Sequence, residues 1–174
     1  MTMMCQSMRH PTKWAAKHNH QFVGWVMAHD ILPENSPNLP GNPNRQLYPH
    51  LVEAGHLWTD KVRFLPYWKP CPFTTNQQNC IVSAHMADGR ALLWVVNKNH
   101  RDANVKVAID WRAAGISPYE VTAVNAETGA FVPLSLDGVT VQVLNRDFVP
   151  VLLLPRGQSI VPTARVTWAP GGAH

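Results

Sequence analysis

The stretch "CIVSAHMADGRALLWVVNKN", Cys80 to Asn99, decides the fold. Two runs of apolar and β-branched residues flank Ala87-Asp88-Gly89-Arg90, and Asp-Gly is preferred chemistry for a tight hairpin because both central residues must accept positive φ. The pattern therefore predicts strand, turn, strand. Downstream, "NVKVAIDW" alternates Val105, Val107 and Ile109 against Lys106 and Asp110, which puts one face in a core and the other in water. "YEVTAV" is followed by the turn-forming "NAETG", and "AFVPLS" by "LDG", before "VTVQVL" alternates again. A last apolar run, "FVPVLLLP", reads either as a strand buried on both faces or as a sheet edge bent by Pro150. About seven short strands separated by turn signals argue for an antiparallel β-sandwich over residues 79 to 156, not for βαβ units. Residues 157 to 174 lose the periodicity and read as a loose tail in which Val166 to Trp168 can still dock.

The first part of the chain is of another kind. "PTKWAAKHNH" suits a short helix begun by Pro11 and Thr12, with Trp14, Ala15 and His18 on one face. "QFVGWVMAHD", ending in His29 and Asp30, is an apolar run of strand length. "ILPENSPNLPGNPNRQ", with four prolines and four asparagines, predicts a surface loop. "LYPHLVEAGHLW" predicts a second short helix that starts after Pro49 and ends by Gly55. Helix, strand, long loop, helix is the grammar of one α/β barrel unit, and a parallel strand buried on both faces needs neighbours. Residues 1 to 61 are therefore expected to be a barrel-end piece, and 62 to 78, "VRFLPYWKPCPFTTNQQ", an aromatic and proline junction. The expected fold class is mainly β: an antiparallel β-sandwich preceded by a partial α/β segment. A barrel-end strand without neighbours is expected to be less stable than the sandwich and to favour self-association, so that proteolysis would leave a core near residues 62 to 156.

Composition narrows the function classes. The 174 residues are 45% hydrophobic and 15% charged, ordinary for one core with a smaller appendage. The net charge of +4 comes from scattered Lys and Arg, without the concentrated basic face that nucleic acid requires. No apolar stretch approaches the roughly 20 residues that span a bilayer, and "MTMMCQSMRH" lacks the pattern of a signal peptide. Neither nucleic acid nor membrane is an expected partner. Cys71 and Cys80 either close a short loop or stay, with Cys5, as free thiols.

"KWAAKHNHQFVGWVMAHDILPENS", "LWTDKVRFLPYWKP" and "NCIVSAHMADGRALLWVVNKN" together resemble the final part of large glycoside-hydrolase-like proteins, in which a (β/α)8 barrel is followed by an all-β C-terminal sandwich. The "FLPYW" junction, the "GRALLWVVN" strand ending in Asn97, the "NAETG" turn and the closing "VPVLLLP" carry the resemblance over about residues 10 to 156. It implies a parent that acts on glycosides, and here a non-catalytic sandwich that supports a mostly absent barrel and is inactive alone. It also implies that Phe64, Tyr67 and Trp68 fill the seam between barrel and sandwich. An independent carbohydrate-binding module using Tyr67 and Trp68 is the alternative, since aromatic rings suit the apolar face of a sugar.

Glycoside hydrolysis uses two carboxylates facing the scissile bond. Asp30 is the first candidate, because it follows an apolar strand where barrel enzymes place active groups. Glu34 is the second, on the loop after it; Glu53 and Asp60 are further acids of this region. His29 is placed to bind a sugar hydroxyl, with Tyr67 and Trp68 as further substrate contacts. A metal site from His18, His20, His29 and Asp30 lacks a third histidine at ligand spacing, so no metal and no cofactor is expected. Trp94 and Trp111 are expected in the core, and His85 and Asp110 in solvent.

Overall fold

A computed structural model of the chain describes residues 16–31, 62–87 and 89–158. The expectations for Glu34, Glu53, Asp60, Cys5, the proline loop, the second helix and Val166 to Trp168 lie outside the described residues. The fold is mainly β. Helix α1 (Ala16–Met27) precedes β1 (Arg63–Leu65), β2 (Phe73–Thr74), β3 (Cys80–Ala87), β4 (Arg90–Asn97) and β5 (Ala103–Ile109). The short helix α2 (Trp111–Ala114) follows, then β6 (Val121–Asn125), β7 (Leu134–Ser135), β8 (Gly138–Val143) and β9 (Phe148–Pro155). Two antiparallel sheets result, one ordered β1-β3-β4-β9-β6 and the other β2-β5-β8-β7. The aromatic and proline stretch thus supplies an edge strand to each sheet, β1 to the first and β2 to the second.

The hairpin closes as its sequence predicts: Ala87 pairs with Arg90, and Gly89 takes φ 68. β5 alternates buried and exposed residues along its whole length, its outer face turned to water. By contrast β3, β4 and β9 are buried at nearly every position, because the five-stranded sheet is covered on both faces. Its inner residues, Val82, Ala84, Leu93, Val95, Val151 and Leu153 among them, meet Val105, Val107, Val139 and Val141 of the second sheet. Its outer residues Ile81, Leu92, Trp94, Val96, Phe148 and Leu152 form a second core with Val23, Val26, Met27 and Ala28. The order of layers is helix, sheet, sheet.

Two expectations are corrected here. Residues 21 to 27 of the run taken as a barrel strand are helical, and the helix that His18 was expected to end continues to Met27. Val23, Val26 and Met27 fall at helical spacing and are the buried positions, whereas Trp25 is 37% exposed. A short apolar run fits either period, and the sheet face that needed a cover decided it. Being helical, residues 21 to 27 offer no strand edge for self-association, and α1 instead sits on the sandwich. "FVPVLLLP" is the strand buried on both faces, lying between β4 and β9's other neighbour, β6. Pro150 pairs with Trp94 inside it. Its carbonyl accepts from the Ala126 N–H at 2.8 Å, just past the end of β6, so the missing N–H faces that finished end and costs the β4 ladder nothing.

Gly24 sets how closely α1 approaches. A Cβ at this position would lie 2.3 Å from the Phe148 ring. At the far end of β4, Asn97 is fully buried; its amide donates to the carbonyls of Arg101 (2.9 Å), Leu144 (3.1 Å) and Val143 (3.2 Å), and its oxygen accepts from Asn99 N–H at 2.9 Å. That one side chain ties the β4–β5 loop to the end of β8. Cys71 and Cys80 are free thiols, and burial raises both above the usual thiol range.

Gly24→Ala is expected to destabilise the protein by about 1–3 kcal/mol, the usual cost of overpacking, and urea denaturation followed by tryptophan fluorescence measures it. Asn97→Ala leaves several carbonyls without a donor in the interior and is expected to cost about 2–3 kcal/mol by the same assay.

Candidate functional site

The end of α1 is closed by a Schellman arrangement. Ile31 N–H reaches the Val26 carbonyl at 2.8 Å and Asp30 N–H the Met27 carbonyl at 3.2 Å, while Asp30 occupies the left-handed position with φ 57. Glycine is the usual residue there, and aspartate is among the few others that accept it. Ile31 packs against the cluster that contains Val26, supplying the apolar contact of the motif.

That left-handed turn carries the Asp30 carboxylate to β3. Asp30 therefore stands at a helix end and not, as expected, at the C-terminal end of a barrel strand. Its Oδ1 accepts from His85 Nε2 at 3.0 Å, and His85 Nδ1 accepts from Trp94 Nε1–H at 2.8 Å. Because an indole nitrogen can only donate, Nδ1 must be the bare nitrogen, and the imidazole proton sits on Nε2. His85 is 4% exposed, against the expectation that it faces water. Burial lowers its pKa from the ordinary histidine value, against the opposing hydrogen bond and charge of Asp30. Beside this line, the buried Ser83 hydroxyl donates to the Ala28 carbonyl at 2.8 Å and accepts from Tyr67 N–H at 3.1 Å. Helix end, β3 and the turn after β1 are joined through one oxygen.

His29, Tyr67 and Trp68 do come together, as the sequence suggested. His29 Nδ1 donates to the Trp25 carbonyl at 2.7 Å, which leaves Nε2 facing the Tyr67 hydroxyl at 3.4 Å. The His29 ring stacks between Trp25 (6.2 Å, 13°) and Trp68 (5.4 Å, 23°). Tyr67 stands perpendicular to Trp68, at 90°. Phe64 touches both Trp68 and His85, and from His85 the rings continue through Trp94 to Phe148. The result is a continuous path of rings from the surface into the second core. Trp94 is in the core as expected, while Trp111 is partly buried against the other cluster and its indole donates to the Leu136 carbonyl. Asp110 is exposed, as expected, and caps α2 by accepting from Ala113 N–H.

Among the described carboxylates, Asp102 bonds Asn145 on the loops near β8, Asp110 caps α2, and Asp137 pairs with Lys106. The side chains of His18 and His20 lie outside the description, and the described residues contain no group of three or more His, Cys, Asp or Glu that could hold a metal ion. No described helix is long and apolar enough to cross a membrane. His85 and Ser83 were missed as site residues. The signal for them lay in the strand itself: β3 is apolar at both parities apart from these two residues, which share the outer face. Comparison with models of known protein families finds no match, and no curated protein matches significantly.

The buried neutral His85 makes stability depend on pH. The unfolded chain takes up this proton near 6.5 and the folded protein only at lower pH, so between the two values the unfolded state binds more protons. Stability is complete above about 6.5 and falls as pH drops below it. Thermal melts should show a loss between about pH 7.5 and about pH 5 that is smaller in His85→Gln than in the wild type; an unchanged slope would remove His85 from the explanation.

Proposed function

We propose that the chain is the closing part of a glycoside-hydrolase-like protein, a non-catalytic sandwich joined rigidly to a helix of the preceding carbohydrate-processing barrel. The observation that supports this best is the junction itself. Asp30, the carboxylate favoured for catalysis, is bonded to the buried His85, and the aromatic rings around it pack on one another instead of presenting one flat platform. Such a junction transmits position. Covered by α1 on one face and by the second sheet on the other, the five-stranded sheet has the construction of a supporting module, and α1 takes the part of a barrel helix. The resemblance of "FLPYW" and "GRALLWVVN" supplies the carbohydrate context.

One observation favours the alternative of sugar binding at this junction: Trp68 is 51% and Tyr67 38% exposed. Trp68→Ala separates the two. The supporting role predicts a loss of about 1–2 kcal/mol from the broken ring contacts and unchanged migration in polysaccharide-containing native gels. Retardation by a polysaccharide that Trp68→Ala abolishes would establish the binding module instead. The reading frame upstream of Met1 tests the parent: it should encode further βα units with strand-end carboxylates, and a frame without them would overturn the glycoside-hydrolase assignment.

A further inference from the structure

A second region has the marks of a ligand site. Where the edge of the five-stranded sheet at β6 meets the edge of the other sheet at β7, the surface sinks into a cleft of about 360 Å³. That volume lies at the low end for small-molecule sites. Around it stand large apolar side chains in water: Phe131 is 81%, Tyr119 69% and Leu136 60% exposed, more than any other large hydrophobic among the described residues. All three line this cleft, so the most exposed apolar side chains of the described residues are gathered at one place.

The cleft is not simply a gap in the core. Val132 N–H bonds the Ala123 carbonyl at 2.9 Å and Asn125 N–H the Ala130 carbonyl at 2.8 Å, so the segment bearing Phe131 is fixed along β6. Thr122 adds a hydroxyl to the lining. Among the described residues Arg156 is the one charged residue that lines the cleft; its backbone N–H is held by the Glu120 carbonyl at 2.6 Å, and its guanidinium has no ion pair among the described residues. Exposed rings, a hydroxyl and a single guanidinium together select a ligand with an apolar face, a polar edge and a negative charge. Guanidinium is suited to two-pronged recognition of a carboxylate.

We infer that this cleft binds an acidic saccharide: a pyranose rests against Phe131 and Tyr119, and its carboxylate meets Arg156. The choice of a sugar rests on the carbohydrate reading above, whereas the ring-binding and anion-binding character rests on the cleft alone.

Isothermal titration calorimetry of the full chain with a uronate trisaccharide and with its uncharged hexose counterpart tests this. Saturable binding of the uronate is expected, weakened about tenfold or more by Arg156→Gln and by Phe131→Ala, and left unchanged by Trp68→Ala. Both cleft side chains are exposed, so unchanged thermal melts will establish that the variants fold. Failure to bind the uronate, equal binding of the uncharged sugar, or loss of binding in Trp68→Ala but not Phe131→Ala would overturn the inference. So would a dimer that Phe131→Ala dissociates, since the patch would then be a contact between copies. Of these outcomes only loss of binding in Trp68→Ala bears on the junction, because it would place the sugar there; the supporting role is read separately, by the stability of Trp68→Ala and by the upstream frame.

Discussion

The five-stranded sheet has two apolar faces, and everything else in the described chain follows from the need to cover both. One face is closed by the second sheet, as in any sandwich. The other presents Leu92, Trp94, Val96, Phe148 and Leu152, a surface that water would strongly disfavour. Helix α1 covers it with Val23, Val26 and Met27, and Gly24 lets the helix backbone come down onto Phe148. Burying the Trp94 ring there creates a further demand, since its N–H needs an acceptor in the interior. His85 is that acceptor, Asp30 is the acceptor for His85, and the left-handed turn at Asp30 is what ends the helix. Packing, helix termination and the ordering of the aromatic junction are thus one linked problem.

This linkage changes how the acidic and aromatic residues are understood. The Asp30 carboxylate holds a neutral histidine that is itself fixed by a buried indole, and so ties the end of the helix to β3. The ring stack of Trp25, His29 and Trp68 extends the same contact outward to the surface. Under the proposed supporting role, this contact would hold a barrel in a fixed position on the sandwich. The cleft at β6 and β7 is of the opposite character: its rings stand in water and its guanidinium is held by no described carboxylate.

Much of the sandwich was legible in the residues. The hairpin between β3 and β4, the alternation in Ala103–Ile109 and Gly138–Val143, and the turn after Asn125 each depend on neighbours in sequence, and period and turn chemistry report those directly. Gln21 to Met27 was misread because seven mostly apolar residues satisfy a strand and a helix alike; only the sheet face awaiting a cover distinguishes them, and that face is assembled from β4 and β9, far apart in the chain. His85 was misplaced for a related reason. A polar residue in a strand is normally assigned to water, and its burial depends on α1 reaching it from 55 positions away. His29, Tyr67 and Trp68 were named as substrate contacts from residue type and position; that their rings meet, and in an orientation that weighs against a flat sugar platform, is a tertiary property.

The most direct test of the account is native-state hydrogen exchange on the full chain, comparing the amides of Val23 to Ala28 with those of β4 and β9. If α1 is an integral layer, its amides will exchange only through the same global opening as the two strands, with a common protection free energy and a common denaturant dependence. Exchange of the helix amides orders of magnitude faster than those of β4, with the strands still protected, would show that the sheet does not depend on its cover and would contradict the account.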